Sequence, residues 1–268
     1  MKLGVALRNM GPQSSPETIV AAARAADAST AIADLWVADH IAIPPDDAEG
    51  SGGRYLDPLA TLAYLAAATD RIGLGVGVLV LPYREALPTA KWVATIQELS
   101  GGRLLLGAGV GWMEAEFRAL GVDQHRRGAI ANATLDLLNR CFAADEVEQN
   151  GQRFLFRPRP PRPPILIGGA PPHALRRAAR YGDGWMPMGL SPDDLRAPVA
   201  ELRELMAAAG RPDPEVAVFT RLPIDDADKV RALLAAYAAA GATRVIHGAR
   251  YTDEAGYRKQ VEGLGRVR

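Results

Sequence analysis

An alternation restricts this chain more than any other feature. Apolar, β-branched or glycine-spaced runs recur eight times, at KLGVAL, LWVA, IGLGVGVLVL, RLLLGAG, PILIGG, GWMPM, EVAVFTRLP and TRVIHG, and segments with helical spacing separate them. In DKVRALLAAYAAAG, Val230, Leu233, Leu234 and Tyr237 fall at i, i+3, i+4 and i+7, and Gly241 stands where a glycine would end the helix. SPDDLRAPVAELRELMAAAG opens on Ser191 as N-cap with Pro192 at the first helical position, and Pro198 would kink its early turns. Strands that alternate with helices pair in parallel. Eight of them predict closure into a (β/α)8 TIM barrel, with an open doubly wound sheet as the alternative. The 268 residues correspond to roughly one such barrel (~250 residues), so a single domain over residues 1–268 is expected.

Two stretches belong to no βα unit and predict loop insertions. PPDDAEGSGGRYLDP, after the second run, reads as a mobile loop, and ADEVEQNGQRFLFRPRPPRPP as a hairpin followed by a rigid proline-rich connection.

Composition narrows the function. Lys plus Arg and Asp plus Glu both total 31, so the formal net charge is zero and no electrostatic footprint for nucleic acid or an anionic membrane exists. The N-terminus lacks a signal-peptide pattern and no run of about 18 apolar residues follows, which predicts a cytoplasmic protein. One cysteine, Cys141, permits neither an internal disulfide nor a thiolate metal cluster. No His-x-His, His-Glu-x-x-His or clustered carboxylates suggest a metal site, and no G-x-S-x-G elbow suggests a serine hydrolase. GAGVG follows the fourth run rather than the first, with no acid about 20 residues on, so it is a poor dinucleotide fingerprint. These exclusions leave an enzyme acting on a small molecule.

A barrel of this class keeps its chemistry where its strands end. LWVADHIAIP breaks an apolar run with Asp39 and His40 at such an end. Tyr83 and Arg84 follow the third run, Trp112 and Glu114 the fourth, Arg221 the seventh and His247 the eighth, while His125 and His173 read as surface residues. Glycines crowd three run ends: Gly75 and Gly77, then Gly107, Gly109 and Gly111, then Gly168 and Gly169. Each cluster either lets the backbone approach a ligand or serves tight turns and packing.

The ordered set LWVADHIAIP, DPLATLAYLAAATDRIGLGVGVLVLPYR, ATIQELSGGRLLLGAGVGWMEAEF, PPILIGG and LRRAARYGDGWMPMGLSP resembles the luciferase-like monooxygenase superfamily. More narrowly, it is similar to the coenzyme F420-dependent oxidoreductases. The resemblance implies a (β/α)8 barrel with a cofactor ring across its mouth. It implies that His40 faces that ring, that Asp39 orients His40, and that Gly77-Val78 is a non-prolyl cis peptide behind the ring. Gly109, Val110, Gly111 and Trp112, with Gly168, Gly169 and Ala170, would hold the cofactor's polar tail and phosphate. Arg84 and Arg221 would suit an acidic tail. Tyr55, Tyr83, Trp112 and Glu114 would line the substrate pocket.

The activity so implied is hydride transfer between F420 and a small organic substrate. One alternative is an FMN-dependent monooxygenase served by a separate reductase. Another is a barrel that binds a flavin or metabolite without turnover. Relatives are commonly homodimers through early helices, and the Ala-rich ATLAYLAAATD is compatible with that. One departure stands out: STAIADLW has Ala31 where relatives place glycine and Ala33 where they place an acid, so the first helix must end by another cap.

Overall fold

The computed structural model describes residues 1–267. The eight apolar runs fold as β1 (Lys2–Ala6), β2 (Asp34–Val37), β3 (Gly73–Val80), β4 (Leu104–Gly109), β7 (Ile165–Gly168), β8 (Gly184–Met186), β9 (Glu215–Thr220) and β10 (Arg244–His247), all paired in parallel. They close in the order β1-β10-β9-β8-β7-β4-β3-β2. The open-sheet alternative is thereby removed. The segment 146–155 forms an antiparallel hairpin of β5 (Glu146–Gln149) and β6 (Gln152–Leu155), as its turn residues predict.

Nine helices accompany the strands among the described residues. They are α1 (Pro16–Ala28), α2 (Pro58–Ala66), α3 (Ala86–Leu99), α4 (Glu114–Leu120), α5 (Arg127–Ala143), α6 (His173–Tyr181), α7 (Pro192–Ala208), α8 (Ala227–Ala239) and α9 (Glu254–Gly265). Ser191 caps α7 by accepting from Asp194 N–H, and the helix runs on through Pro198. No helix of the described residues is long and apolar enough to cross a membrane.

Period-two alternation divides the buried side chains into two cores. Leu3, Val5, Leu35, Val37, Val216, Val218 and Val245 pack outward among the helices. Trp36, Leu166, Met186, Ala217 and Ile246, with Val78, Leu105 and Phe219, form a second cluster that fills the barrel. Trp36 fits there because Gly4 and Gly75 carry no side chain: a Cβ at Gly75 would lie 2.4 Å from the indole.

The missing glycine at the end of α1 has a physical replacement. Arg71, at the start of the next unit but one, sends its guanidinium to the carbonyls of Ala26, Asp27, Ser29 and Ile32 at 2.7–3.3 Å. The Asp27 carboxylate answers by accepting from the N–H groups of Asp70, Arg71 and Ile72. Arg103 repeats the device at the end of α2, reaching the carbonyls of Ala66, Thr69 and Ile72. Both arginines therefore satisfy orphan helix-end carbonyls.

The loop between β2 and α2 is tied to the β1–α1 connection. Gly11 N–H donates to Arg54 O, Leu56 N–H to Asn9 O, and the Arg54 guanidinium to Ser14, while Met10 and Tyr55 form an isolated bridge. These ties bring Tyr55 to the barrel mouth.

Candidate active site

Asp39 and His40 follow β2 and take separate partners, and no hydrogen bond joins their side chains among the described residues. This corrects the expectation that one orients the other. Asp39 turns onto β3: Arg84 grips it with Nη1 at 2.6 Å and Nη2 at 2.8 Å, and Val80 N–H donates to it at 2.8 Å. Nη2 of Arg84 also reaches Asp57, the N-cap of α2, at 2.7 Å. Two carboxylates thus absorb the charge of Arg84. The expectation that Arg84 offers a free cation to an acidic tail is corrected with it.

His40 instead meets Glu116, on α4. Its Nδ1 lies 2.8 Å from Glu116 Oε2, which also accepts from Tyr83 Oη–H at 2.9 Å. Glu116 Oε1 accepts from the N–H groups of Ile41 at 2.6 Å and Ala42 at 2.9 Å. The Glu116 side chain is 0 % exposed, yet all four of these donors favour its ionised form. Burial alone would raise the Glu116 pKa; the Ala42 and Ile41 amides and His40 outweigh it and hold the carboxyl below its usual range. An ionised acceptor at Nδ1 assigns the proton to that nitrogen and leaves Nε2 as the acceptor. The His40 side chain is 21 % exposed, with the Tyr55 ring 5.0 Å away and the Trp112 ring 6.3 Å away, centroid to centroid.

Glu116 was not singled out in the sequence, where Glu114 stands closer to the glycine motif. The structure places Glu114 in solvent at the first position of α4. Met113, Glu116 and Phe117 are all buried. An acid three residues after one buried apolar position and beside another lies on the inward face of a helix, and that spacing was the available signal. Tyr83 is likewise not a wall of the mouth: it is buried against Phe117 and its hydroxyl serves Glu116. Burial and the neighbouring carboxylate push its pKa well up, so it remains a donor.

The glycines of β3, β4 and β7 resolve into two kinds. The Gly77-Val78 peptide is cis, as the resemblance implies. Val78 points across the barrel onto neighbouring strands, and a Cβ at Gly109 would lie 2.4 Å, and one at Gly168 2.7 Å, from its methyl groups. Gly109 and Gly168 therefore make room for a side chain of this chain. Gly111 (φ 78°) and Gly169 (φ 113°) have backbone angles that L side chains rarely adopt. Among the described residues the N–H groups of Gly111, Trp112, Gly169 and Ala170 meet no protein acceptor. Adjacent strand ends thus present free amides, the kind of cradle that suits an anion.

A cavity of about 270 Å³ opens at the mouth, with Trp36, Gly77, Phe219 and Met188 among its walls. Trp112 is 72 % exposed after β4, and Ile41 after β2 and Met188 after β8 are exposed as well. A larger cleft of about 670 Å³ runs behind Tyr83 between the start of α3 and α5; His40 and the free amides line neither cavity, but the mouth cavity includes Ala38, two residues before His40. His247, predicted at the mouth, turns to the outer face of β10. Its Nδ1 accepts from Leu222 N–H at 3.0 Å, and burial, aided by Arg221, brings its pKa down to about 4. It is a neutral pin for the β9–α8 connection.

Comparison with known proteins locates this arrangement. The model of the luciferase-like monooxygenase family matches residues 1–266. An uncharacterized protein of Mycobacterium tuberculosis is 31 % identical over 252 residues, 86 % of either chain. Among solved structures, monooxygenase RslO1 from Streptomyces bottropensis has a TM-score of 0.82 at 20 % identity, covering 100 % of this chain and 98 % of that one. An F420-dependent secondary alcohol dehydrogenase in complex with an F420-acetone adduct has a TM-score of 0.81 at 15 % identity, covering 100 % and 99 %.

Proposed function

Because the chain belongs to the luciferase-like monooxygenase family, we propose that it is an oxidoreductase which moves a hydride between coenzyme F420 and a small organic substrate. One observation carries the reading: Glu116 fixes His40 with its Nδ1 protonated, so Nε2 is a positioned proton acceptor or, once protonated, donor at the mouth. Hydride transfer to or from a carbonyl–alcohol pair requires that accompanying proton.

The residues present fit the coenzyme. The apolar walls formed by Gly77, Val78, Ala38 and Phe219 suit a flat ring, and the free amides of Gly111, Trp112, Gly169 and Ala170 suit its phosphate. When bound, the deazaflavin supplies or accepts the hydride. The chain contributes the rest. Trp112, Ile41 and Met188 on the rim exclude water, Val78 backs the ring, Asp39 and Arg84 lock the ends of β2 and β3, and His40 handles the proton. The likeness to an F420-dependent alcohol dehydrogenase and the motif resemblance to deazaflavin enzymes support this reading.

Equilibrium dialysis of the full chain against F420 and FMN tests it. F420 is expected to bind more tightly. A tenfold preference for FMN, about 1.4 kcal/mol, would replace this reading with that of an FMN-dependent monooxygenase served by a separate reductase, using the same mouth.

A further inference from the structure

We infer that the substrate carries a compact anionic group, and that Arg8 and Arg250 receive it on the β1/β10 side of the mouth. The inference rests on the reading above for the reaction, and on the following geometry for the substrate.

Among the residues lining the mouth cavity, the ionisable ones are Arg8 and Arg250, both cations, and no carboxylate joins them. The rest of the lining is apolar, with Met10, Trp36, Met188 and Phe219 its largest side chains. Other arginines of the barrel are neutralised in place: Arg84 by Asp39 and Asp57, and Arg244, in the barrel floor, by Asp34 and Glu215. Neither Arg8 nor Arg250 has a carboxylate within ion-pair distance among the described residues. Arg8 Nη2 donates only to the Gly50 carbonyl, at 3.2 Å, and its Nε is buried with no partner. Arg250 Nη1 reaches the same spot, 3.9 Å from where a Cβ on Gly50 would stand.

Two guanidinium groups therefore converge beside an apolar cavity without a counter-ion. Arg8 is drawn partly out of water, its Nε buried without a partner, and an oxyanion accepting charge-assisted N–H bonds offsets that cost, while the exposed Arg250 adds a second cation beside it. The guanidinium fork suits a carboxylate or a phosphate. The cavity of about 270 Å³ is small for a ligand site and its Ala38, Gly77 and Phe219 walls are shared with the proposed coenzyme ring, so the body attached to the anion is short.

The placement also suits turnover. β10, β1 and β2 are consecutive in the barrel, so an anion held at the ends of β10 and β1 leaves the other end of a short molecule beside His40 at the end of β2. Tyr55 joins the two regions, bridging to Met10 and lying 5.0 Å from the His40 ring. The inferred substrate is thus a short alcohol or carbonyl compound that bears an acid at its far end.

Titration calorimetry on the full chain tests this with hexanoate and its neutral counterpart hexanamide. Wild type is expected to bind hexanoate at least tenfold more tightly. Arg8→Met and Arg250→Gln should each reduce that preference at least fivefold; Arg250 is exposed, so its variant is expected to fold even if Arg8→Met does not. The affinity for F420, measured on the same samples by fluorescence, should stay within threefold of wild type. Equal binding of the two probes by wild type, or a preference that survives both substitutions, would overturn the inference. So would a fall in F420 affinity with the hexanoate preference unchanged, which would assign the arginines to the coenzyme tail. Failure of wild type to bind F420 would remove the proposed reaction and leave the hexanoate result readable.

Discussion

Glu116 Oε2 receives His40 Nδ1 at 2.8 Å across 76 residues of sequence. The bond joins a loop that leaves β2 to a helix that follows β4, so the position of the imidazole depends on the β2-β3-β4 pairing between them. Because Ile41 and Ala42 donate to the other oxygen of the same carboxylate, the backbone just beyond His40 is fixed along with its ring. The imidazole is oriented from behind and beside at once, as pre-organised proton transfer requires.

His40→Ala is expected to leave the fold intact, because the side chain is partly exposed and fills no core position. Hydride transfer in a single turnover should fall roughly 10²–10⁴-fold, the usual share of general acid–base assistance, with coenzyme affinity changed far less. Melting temperature and turnover measured on one sample decide the matter: a large loss of stability with normal turnover would remove the residue from the chemistry.

Glu116→Gln keeps the shape and removes the charge. Turnover is expected to fall by a smaller factor than for His40→Ala, and adding Glu116→Gln to His40→Ala should cost little more, because the acid acts through the imidazole. Its folded pKa lies below the ordinary value of 4.5, so the unfolded chain binds the proton more readily. The stability it contributes is then fully present above about pH 4.5 and is lost as pH falls through the lower folded value. Urea midpoints of wild type and variant should converge in that acidic window. A gap that stays constant down to pH 3 would contradict the assignment.

Gly109→Ala and Gly168→Ala each drive a methyl into Val78, and each is expected to cost about 1–3 kcal/mol, the usual range for overpacking. Val78→Ala should recover most of that cost in the double variants. Denaturant melts of the four-member cycle check the coupling, and additive losses would show that the clash is relieved elsewhere.

His247 gives a second acid-range test, of the same sign but at higher pH. Its pKa falls from 6.5 unfolded to about 4 folded, so the unfolded state takes up the proton first. Stability is complete above pH 6.5 and declines as pH drops toward 4, by up to about 3 kcal/mol. His247→Gln should flatten that part of the profile of melting temperature against pH. An unchanged slope between pH 6.5 and 4 would place the titration on another group.

Much of the architecture was legible because the strands are buried on both faces and so read as continuous apolar runs. The hairpin at 146–155 and the Ser191 cap were legible for local reasons, each being written in turn or capping residues. The site was legible only in part. His40 announced itself by interrupting an apolar run, but its partner lies far along the chain and on a helix face that becomes inward only when α4 packs. Arg84 looked free because Asp57 and Asp39 flank it in space and not in sequence. The glycines looked alike in the sequence, and only the course of the Val78 side chain separates Gly109 and Gly168 from Gly111 and Gly169.

The arginines at 71 and 103 set a timetable for synthesis. Each closes the end of a helix made well before it, so on the ribosome the last carbonyls of α1 are left largely to water until residue 71 emerges, and those of α2 until residue 103. A nascent chain or proteolytic fragment that stops short of either residue carries a frayed last turn. The barrel is sewn one stitch behind its own growing end.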